Sequence, residues 1–163
     1  MEAGLGWRVN RGREAGFISQ CPPDGRTHQS APHKRGSMKI LLVDDNLPSR
    51  ELMREILEAS GHRVLEAVSG RDALDMIHQD RPDLVFLDLQ MPVMDGFGVI
   101  QELRSDILFR RLPVVAVTAS AMLGDRERAI AAGFDSYIAK PINLSEVRQQ
   151  LELLSIRFAE SKK

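Results

Sequence analysis

The chain has 163 residues, 43% hydrophobic and 28% charged, with a net charge of −1, a balance that suits one globular domain with an appendage. No window approaches 18 apolar residues, which excludes a membrane-spanning helix. The single cysteine, Cys21, excludes an internal disulfide and a cysteine metal site, and points to a reducing, cytoplasmic setting.

Charge and pattern divide the chain near residue 38. Residues 1–37 hold six Lys/Arg and three Asp/Glu, leaving 16 basic and 20 acidic residues from Met38 onward. The first segment is rich in Gly, Pro, Ser and Arg and has no sustained period of 2 or 3.6. It also lacks the apolar centre of a secretory signal. It is expected to be a disordered extension, native or derived from cloning or an upstream start, because it cannot bury enough apolar surface to offset its ordering entropy. The acidic remainder is not expected to bind DNA directly, since phosphate contacts dominate that affinity.

From Lys39 strands and helices alternate. KILLV (39–43) is an apolar strand ending in Asp44-Asp45. A helix follows with Pro48 near its start, an inner stripe of Leu52, Ile56 and Leu57, and Gly61 as its stop. RVLEA (63–67) is a second strand. Ser69 and Asp72 form a capping signal before a helix whose face is Ala73, Leu74 and Ile77. LVFLD (84–88) is a third strand, an apolar run ending in a carboxylate. Gly98–Arg104 predicts a helix with Val99, Ile100 and Leu103 inward, and PVVAVTA (113–119) a fourth strand. Asp125–Ala132 predicts a small-residue helix closed by Gly133, followed by the strand DSYIAK (135–140). Asn143 and Glu146 cap a last helix whose Leu144, Val147, Leu151, Leu154 and Phe158 step by 3, 4, 3, 4. Strands separated by helices imply right-handed crossovers and a parallel sheet buried on both faces.

Three of these strands end in chemistry: Asp44-Asp45 after the first, Asp88 after the third, Thr118 at the end of the fourth. Lys140 follows the fifth. In an open parallel sheet all carboxyl ends share one rim, where sites form, so these residues are expected to converge. Two carboxylates about 5 Å apart at an effective dielectric of ~20 repel by roughly 3 kcal/mol, so either pKa values rise or a cation compensates. Lys140 supplies one charge, and a hard divalent cation with oxygen ligands suits the remainder, Mg²⁺ above all. No His or Cys lies at these strand ends, which argues against zinc. An Asp beside a metal and an ammonium can act as nucleophile toward a phosphoryl group, whose transition-state charge needs cations and hydroxyl donors.

VDDN (43–46), FLDLQMPVMDG (86–96), VTASA (117–121) and YIAKP (137–141) together resemble the receiver domain of bacterial two-component response regulators, in order and spacing, over residues 38 to about 161. The resemblance implies a flavodoxin-like (βα)₅ sheet of order 2-1-3-4-5. It implies Asp88 as phosphoryl acceptor, Asp45 as a direct Mg²⁺ ligand, Asp44 as one acting through water, and the Gln90 backbone carbonyl as a further ligand. Thr118 is then the switch hydroxyl, Tyr137 the aromatic that turns inward with it, Lys140 the ammonium that meets the phosphoryl group, and Pro141 a cis proline. Pro92 and Gly96 shape the loop after the acceptor, and Gly96 suits close packing or a positive φ. Gln90 and Ser120 flank the phosphoryl position.

The resemblance implies a histidine kinase or histidine phosphotransfer protein as phosphodonor. It also implies a downstream protein bound on the face of helix 121–132, strand 135–139 and helix 143–158. With no DNA-binding or catalytic unit after the last helix, a stand-alone regulator or a receiver fragment, monomeric or weakly dimeric, is expected. Two alternatives are a degenerate receiver acting as a phosphorylation-independent binding module and an aspartyl-phosphate phosphatase. The first is opposed by intact residues at 45, 88, 118 and 140. The second is opposed by Gln90, which stands where such enzymes carry an acid/base Asp.

Overall fold

Five short strands, the inner three of them apolar runs of Val, Leu, Ile, Ala and Phe, pair in parallel because each neighbour can bury the other's backbone polar groups and both faces can be covered. The structure, a computed structural model, describes residues 36–120 and 122–161. Its elements are β1 (Lys39–Val43), α1 (Leu47–Ala59), β2 (Arg63–Ala67), α2 (Gly70–Asp80), β3 (Leu84–Asp88), α3 (Gly96–Ser105), β4 (Val114–Thr118), α4 (Asp125–Ala132), β5 (Ser136–Ala139) and α5 (Leu144–Ser161). The strand order is β2-β1-β3-β4-β5, the doubly wound flavodoxin-like arrangement that the resemblance to receiver domains implied.

Side-chain alternation along the strands builds two cores. Leu41, Val43, Val85, Leu87, Val114 and Ala116 point to one face and meet Ala73, Leu74 and Ile77 of α2, Val99, Ile100 and Leu103 of α3 and Ala129 of α4. Ile40, Leu42, Leu84, Phe86, Val115, Val117 and Ile138 point to the other and meet Met53 and Leu57 of α1 and Val147, Leu151 and Leu154 of α5. Every residue of β3 and β4 is buried, so an ionisable side chain there must be matched by partners.

Several expectations are corrected. Leu52 is 47% exposed, and the inward position is taken by Met53, one residue or 100° further round α1, with Leu57 one turn on. Leu144 is also exposed, so the apolar stripe of α5 begins at Val147. Helix α3 begins at Gly96 rather than Gly98, because the Asp95 carboxylate accepts the Gly98 N–H at 2.9 Å and caps the helix. The side chain of Asn143 accepts the Ser145 N–H at 2.9 Å. The side chain of Phe158, residue 121 and residues 1–35 lie outside the described residues.

On the edge of the sheet away from the acidic strand ends, one side chain ties two connections together. The Arg104 guanidinium donates to the carbonyls of Gly133, Phe109, Arg110 and Leu112 and to the Asp135 carboxylate. The same Asp135 oxygen accepts the Val114 N–H at 2.9 Å. No described helix is long and apolar enough to cross a membrane.

Candidate functional site

The sheet register sets the rim. Val43 lies opposite Leu87, Asp88 opposite Val117 and Thr118 opposite Ala139. The residues one step beyond, Asp44 and Lys140, therefore flank Asp88 and Thr118. Asp44, Asp88 and Thr118 are the buried polar residues of the described core, each under 5% exposed; Asp45 is exposed. One carboxylate oxygen from each of Asp44, Asp45 and Asp88 lies within 4.8 Å of the others.

Lys140 sits between two of these acids. Its Nζ donates to Asp44 Oδ2 at 2.8 Å and to Asp88 Oδ2 at 2.9 Å, and its backbone N–H donates to the Thr118 carbonyl at 2.7 Å. The other oxygens take backbone donors: Asn46 N–H to Asp44 Oδ1 and Gln90 N–H to Asp88 Oδ1, each 2.8 Å. The Lys140–Pro141 bond is cis. Thr118 Oγ1 accepts the Ser120 N–H at 3.1 Å, and Tyr137 on β5 donates its hydroxyl to the Ser120 carbonyl at 2.8 Å. Asp44, Asp45, Asp88, Thr118 and Lys140 thus meet at this rim, while Tyr137 lies two residues before the end of β5 and reaches it through the Ser120 carbonyl.

The electrostatics separate the acids. For Asp88, burial pushes the carboxyl pKa up and the nearby Asp44 charge adds to it, outweighing the Gln90 amide and the Lys140 ammonium. For Asp44, burial acts the same way, but the Lys140 contact, the Asn46 amide and the Ser49 side chain win and hold it below the usual range. Burial opposes the charge on Lys140, yet its two acidic partners raise its pKa, so it remains an ammonium. Burial and then the Asp125 and Glu146 charges push the Tyr137 phenol up, which keeps it a hydrogen-bond donor at neutral pH.

Three carboxylates against one ammonium leave two negative charges at one rim, with oxygen donors only. That donor set fits a hard divalent cation and gives no purchase to a soft one.

Supporting residues missed in the sequence hold this rim in place. Arg50 Nη1 donates to the Asp44 carbonyl at 2.8 Å while its Nε meets Glu66 at 3.1 Å. Asp125 accepts both the Ser120 hydroxyl and the Met122 N–H at 3.1 Å, fixing the connection from β4 to α4. An Asp in the first turn of a helix is a legible signal; the Arg50 contact spans two elements and has none.

The loop after β3 carries strain. Val93 is fully exposed at φ +68, a region costly for a β-branched residue. Val93→Asn is expected to stabilise the fold by about 0.5–1 kcal/mol, since no packing is lost and Asn tolerates positive φ. Urea unfolding with an unchanged m-value measures this, and an equal or lower midpoint would contradict it.

The chain matches the response regulator receiver domain family over residues 40–152. It is 41% identical over 105 residues to the polar-differentiation response regulator DivK of Brucella anthropi, a stretch covering 64% of this chain and 85% of that protein. Its fold superposes on the receiver domain of the sensor histidine kinase PA1611 of Pseudomonas aeruginosa with a TM-score of 0.68 and 34% identity, covering 73% of this chain and 98% of that one. That structure has a magnesium ion coordinated in its active-site cleft. The chemotaxis protein CheY4 of Vibrio cholerae gives a TM-score of 0.68 at 27% identity, covering 72% and 98%. An acidic rim closed by a lysine, on a sheet of this order and with a match spanning both, leaves one assignment: this chain belongs to the response regulator receiver domain family, a CheY-like signalling module of two-component systems.

Proposed function

We propose that Asp88 is the phosphoryl acceptor of this receiver and that Asp45, Asp88, the Gln90 backbone carbonyl and, through water, Asp44 hold Mg²⁺ beside it. The observation that carries the reading is the pairing of Asp88 with Lys140 at 2.9 Å next to two further carboxylates. Bound there, Mg²⁺ would neutralise charge on the phosphoryl oxygens.

The remaining work belongs to the chain's own groups. An Asp88 carboxylate oxygen forms a bond to phosphorus as the bond from phosphorus to the donor's imidazole nitrogen breaks, its electron pair returning to that nitrogen. Lys140 meets one developing equatorial charge and the Thr118 hydroxyl turns to donate to another. Charge on Asp88 grows by about one unit on phosphorylation. A Thr118 hydroxyl drawn to the phosphoryl group gives up the Ser120 N–H, loosening the loop that Tyr137 also holds. The bistable element is therefore the β4–α4 connection with Tyr137, and the surface it changes is that of α4, β5 and α5. A full shift from 1:99 to 99:1 needs about 5.5 kcal/mol, more than one charge-assisted hydrogen bond supplies, so Lys140 and the metal must contribute.

The phosphodonor is a histidine kinase or a histidine phosphotransfer protein, and the chain turns over only its own phosphoryl group. Intact-mass analysis after incubation with acetyl phosphate tests this. The expected result is one phosphoryl adduct that requires Mg²⁺, vanishes with a chelator and is cleaved by hydroxylamine. An adduct formed without the metal, or stable to hydroxylamine, overturns the assignment.

A further inference from the structure

The end of the sheet opposite the acidic rim carries a surface that phosphoryl chemistry does not use. A cavity of about 470 Å³ opens there between the α2–β3 turn, the α3–β4 loop and α5, walled by Leu108, Leu112 and Leu154 and flanked by Arg81, Arg111 and Arg157. Beside it Ile107 is 75% and Leu108 64% exposed, and Arg110 and Arg111 face solvent.

This loop is held firmly. Asp106 accepts the Leu108 N–H through its side chain and the Arg110 N–H through its carbonyl, both at 2.8 Å. The Leu112 N–H reaches the Phe109 carbonyl at 2.9 Å, and Arg104 gathers three carbonyls of the same loop. The exposed aliphatic side chains are thus displayed from an ordered backbone, which lowers the entropy lost when something docks.

The charge on this surface is unbalanced. Among the described residues no carboxylate lies within ion-pair distance of Arg81, Arg110 or Arg111, and Arg157 reaches Asp135 only at 3.8 Å. Three acids at this end are engaged: Asp83 and Asp135 line the cavity, where Asp83 accepts the Lys39 N–H at 2.8 Å and Asp135 is held by Arg104, and Asp106 closes its own loop and faces His78; the half-buried Asp80 beside Arg81 brings a further carboxylate to this end.

We propose that this surface docks an acidic segment of a partner protein, seating one aliphatic or aromatic side chain in the cavity and its carboxylates on Arg81, Arg110 and Arg111. Arginine forks match carboxylates bidentately, and arginine beside large apolar side chains is the composition of interface cores. The chain's own residues 1–37, with twice as many basic as acidic residues, carry the wrong sign. Because the surface lies at the start of β3, β4 and β5 and the rim at their ends, about 16 Å apart along the five-residue β3 and β4, both can be engaged at once.

Fluorescence anisotropy of the full chain with a dye-labelled peptide of alternating glutamate and leucine tests the proposal. Binding is expected to saturate, to weaken with salt, and to fall by about tenfold or more in Arg110→Glu/Arg111→Glu and in Leu108→Ser. Both variants change exposed side chains, so acetyl phosphate labelling of Asp88 should persist and report an intact fold. No binding, equal binding of a lysine–leucine or glutamate–serine peptide, or unchanged binding by the variants overturns it. So does self-association abolished by the same variants, which would assign the surface to a second copy.

Discussion

Asp88→Asn is expected to abolish the phosphoryl adduct and, in metal-free buffer at neutral pH, to raise the melting temperature by about 3–5 °C, the shift of roughly 1 kcal/mol in a domain of this size. The first effect follows from removal of the carboxylate proposed as nucleophile. The second follows from the sign of linkage. Burial and the Asp44 charge raise the Asp88 pKa in the fold, so as pH rises through that range the unfolded chain ionises first and stability falls. At neutral pH the ionised Asp88 therefore opposes folding, and a neutral amide of the same shape relieves it while Lys140 keeps its bond to Asp44. The gain should shrink as pH falls through the raised range in which the folded wild-type carboxyl takes up its proton, down to the ordinary carboxylate range of the unfolded chain. Mg²⁺ should reverse the order, since a ligand bound only by the folded state adds RT ln(1 + [L]/Kd), and the wild-type site, with one more carboxylate, binds it more tightly. Thermal melts of both proteins with and without Mg²⁺ check all three statements. An Asn variant that melts below the wild type without metal would show that the Asp88–Lys140 pair contributes more than burial and the Asp44 charge take away.

Strand periodicity and capping made most of the fold legible, because parallel β3 and β4 are buried on both faces and read as unbroken apolar runs. The rim was legible for the same reason: a charge at the end of such a run has nowhere to go but the sheet's carboxyl edge. What the pattern could not resolve was rotation about a helix. Leu52 and Met53 are adjacent and both apolar, and only the fixed azimuth of α1 against Leu42 and Phe86 turns Met53 inward. Leu144 failed similarly, because a first-turn residue can be in phase with the stripe and still lie beyond the sheet's edge. Contacts between distant elements, such as Arg104 with Gly133 and Asp135, leave no local mark at all. The glycine after the acceptor strand was legible only as a choice between two causes.

The structure decides that choice. Gly96 has no positive φ; a Cβ built on it would stand 2.6 Å from the Asp88 carbonyl oxygen and 3.0 Å from Leu89 Cα. Both are backbone atoms of the segment that carries the acceptor, so no rotamer change can make room. Gly96→Ala is therefore expected to destabilise the fold by about 1–3 kcal/mol, the range for overpacking, even though alanine in a helix gains up to ~1 kcal/mol over glycine. The clash wins because α3 must slide away from β3, against Val99, Ile100 and Leu103 packed in the core. The same displacement moves Asp88 relative to Lys140, and a shift of order 1 Å can cost about a hundredfold in rate, so labelling by acetyl phosphate should slow by at least about tenfold even below the melting transition. Gly98→Ala, two residues further along α3, supplies the control. Its Cβ would meet the flexible Met94 Cγ at 3.3 Å and, at ordinary contact distance, Asp95 Oδ1 at 3.6 Å, so that variant should be neutral or slightly more stable and label at the wild-type rate. Urea titrations and initial labelling rates of the two alanine variants measure the difference. Equal behaviour of the pair would mean that the β3 end yields freely, and that Asp88 is not held in position by the close approach of α3.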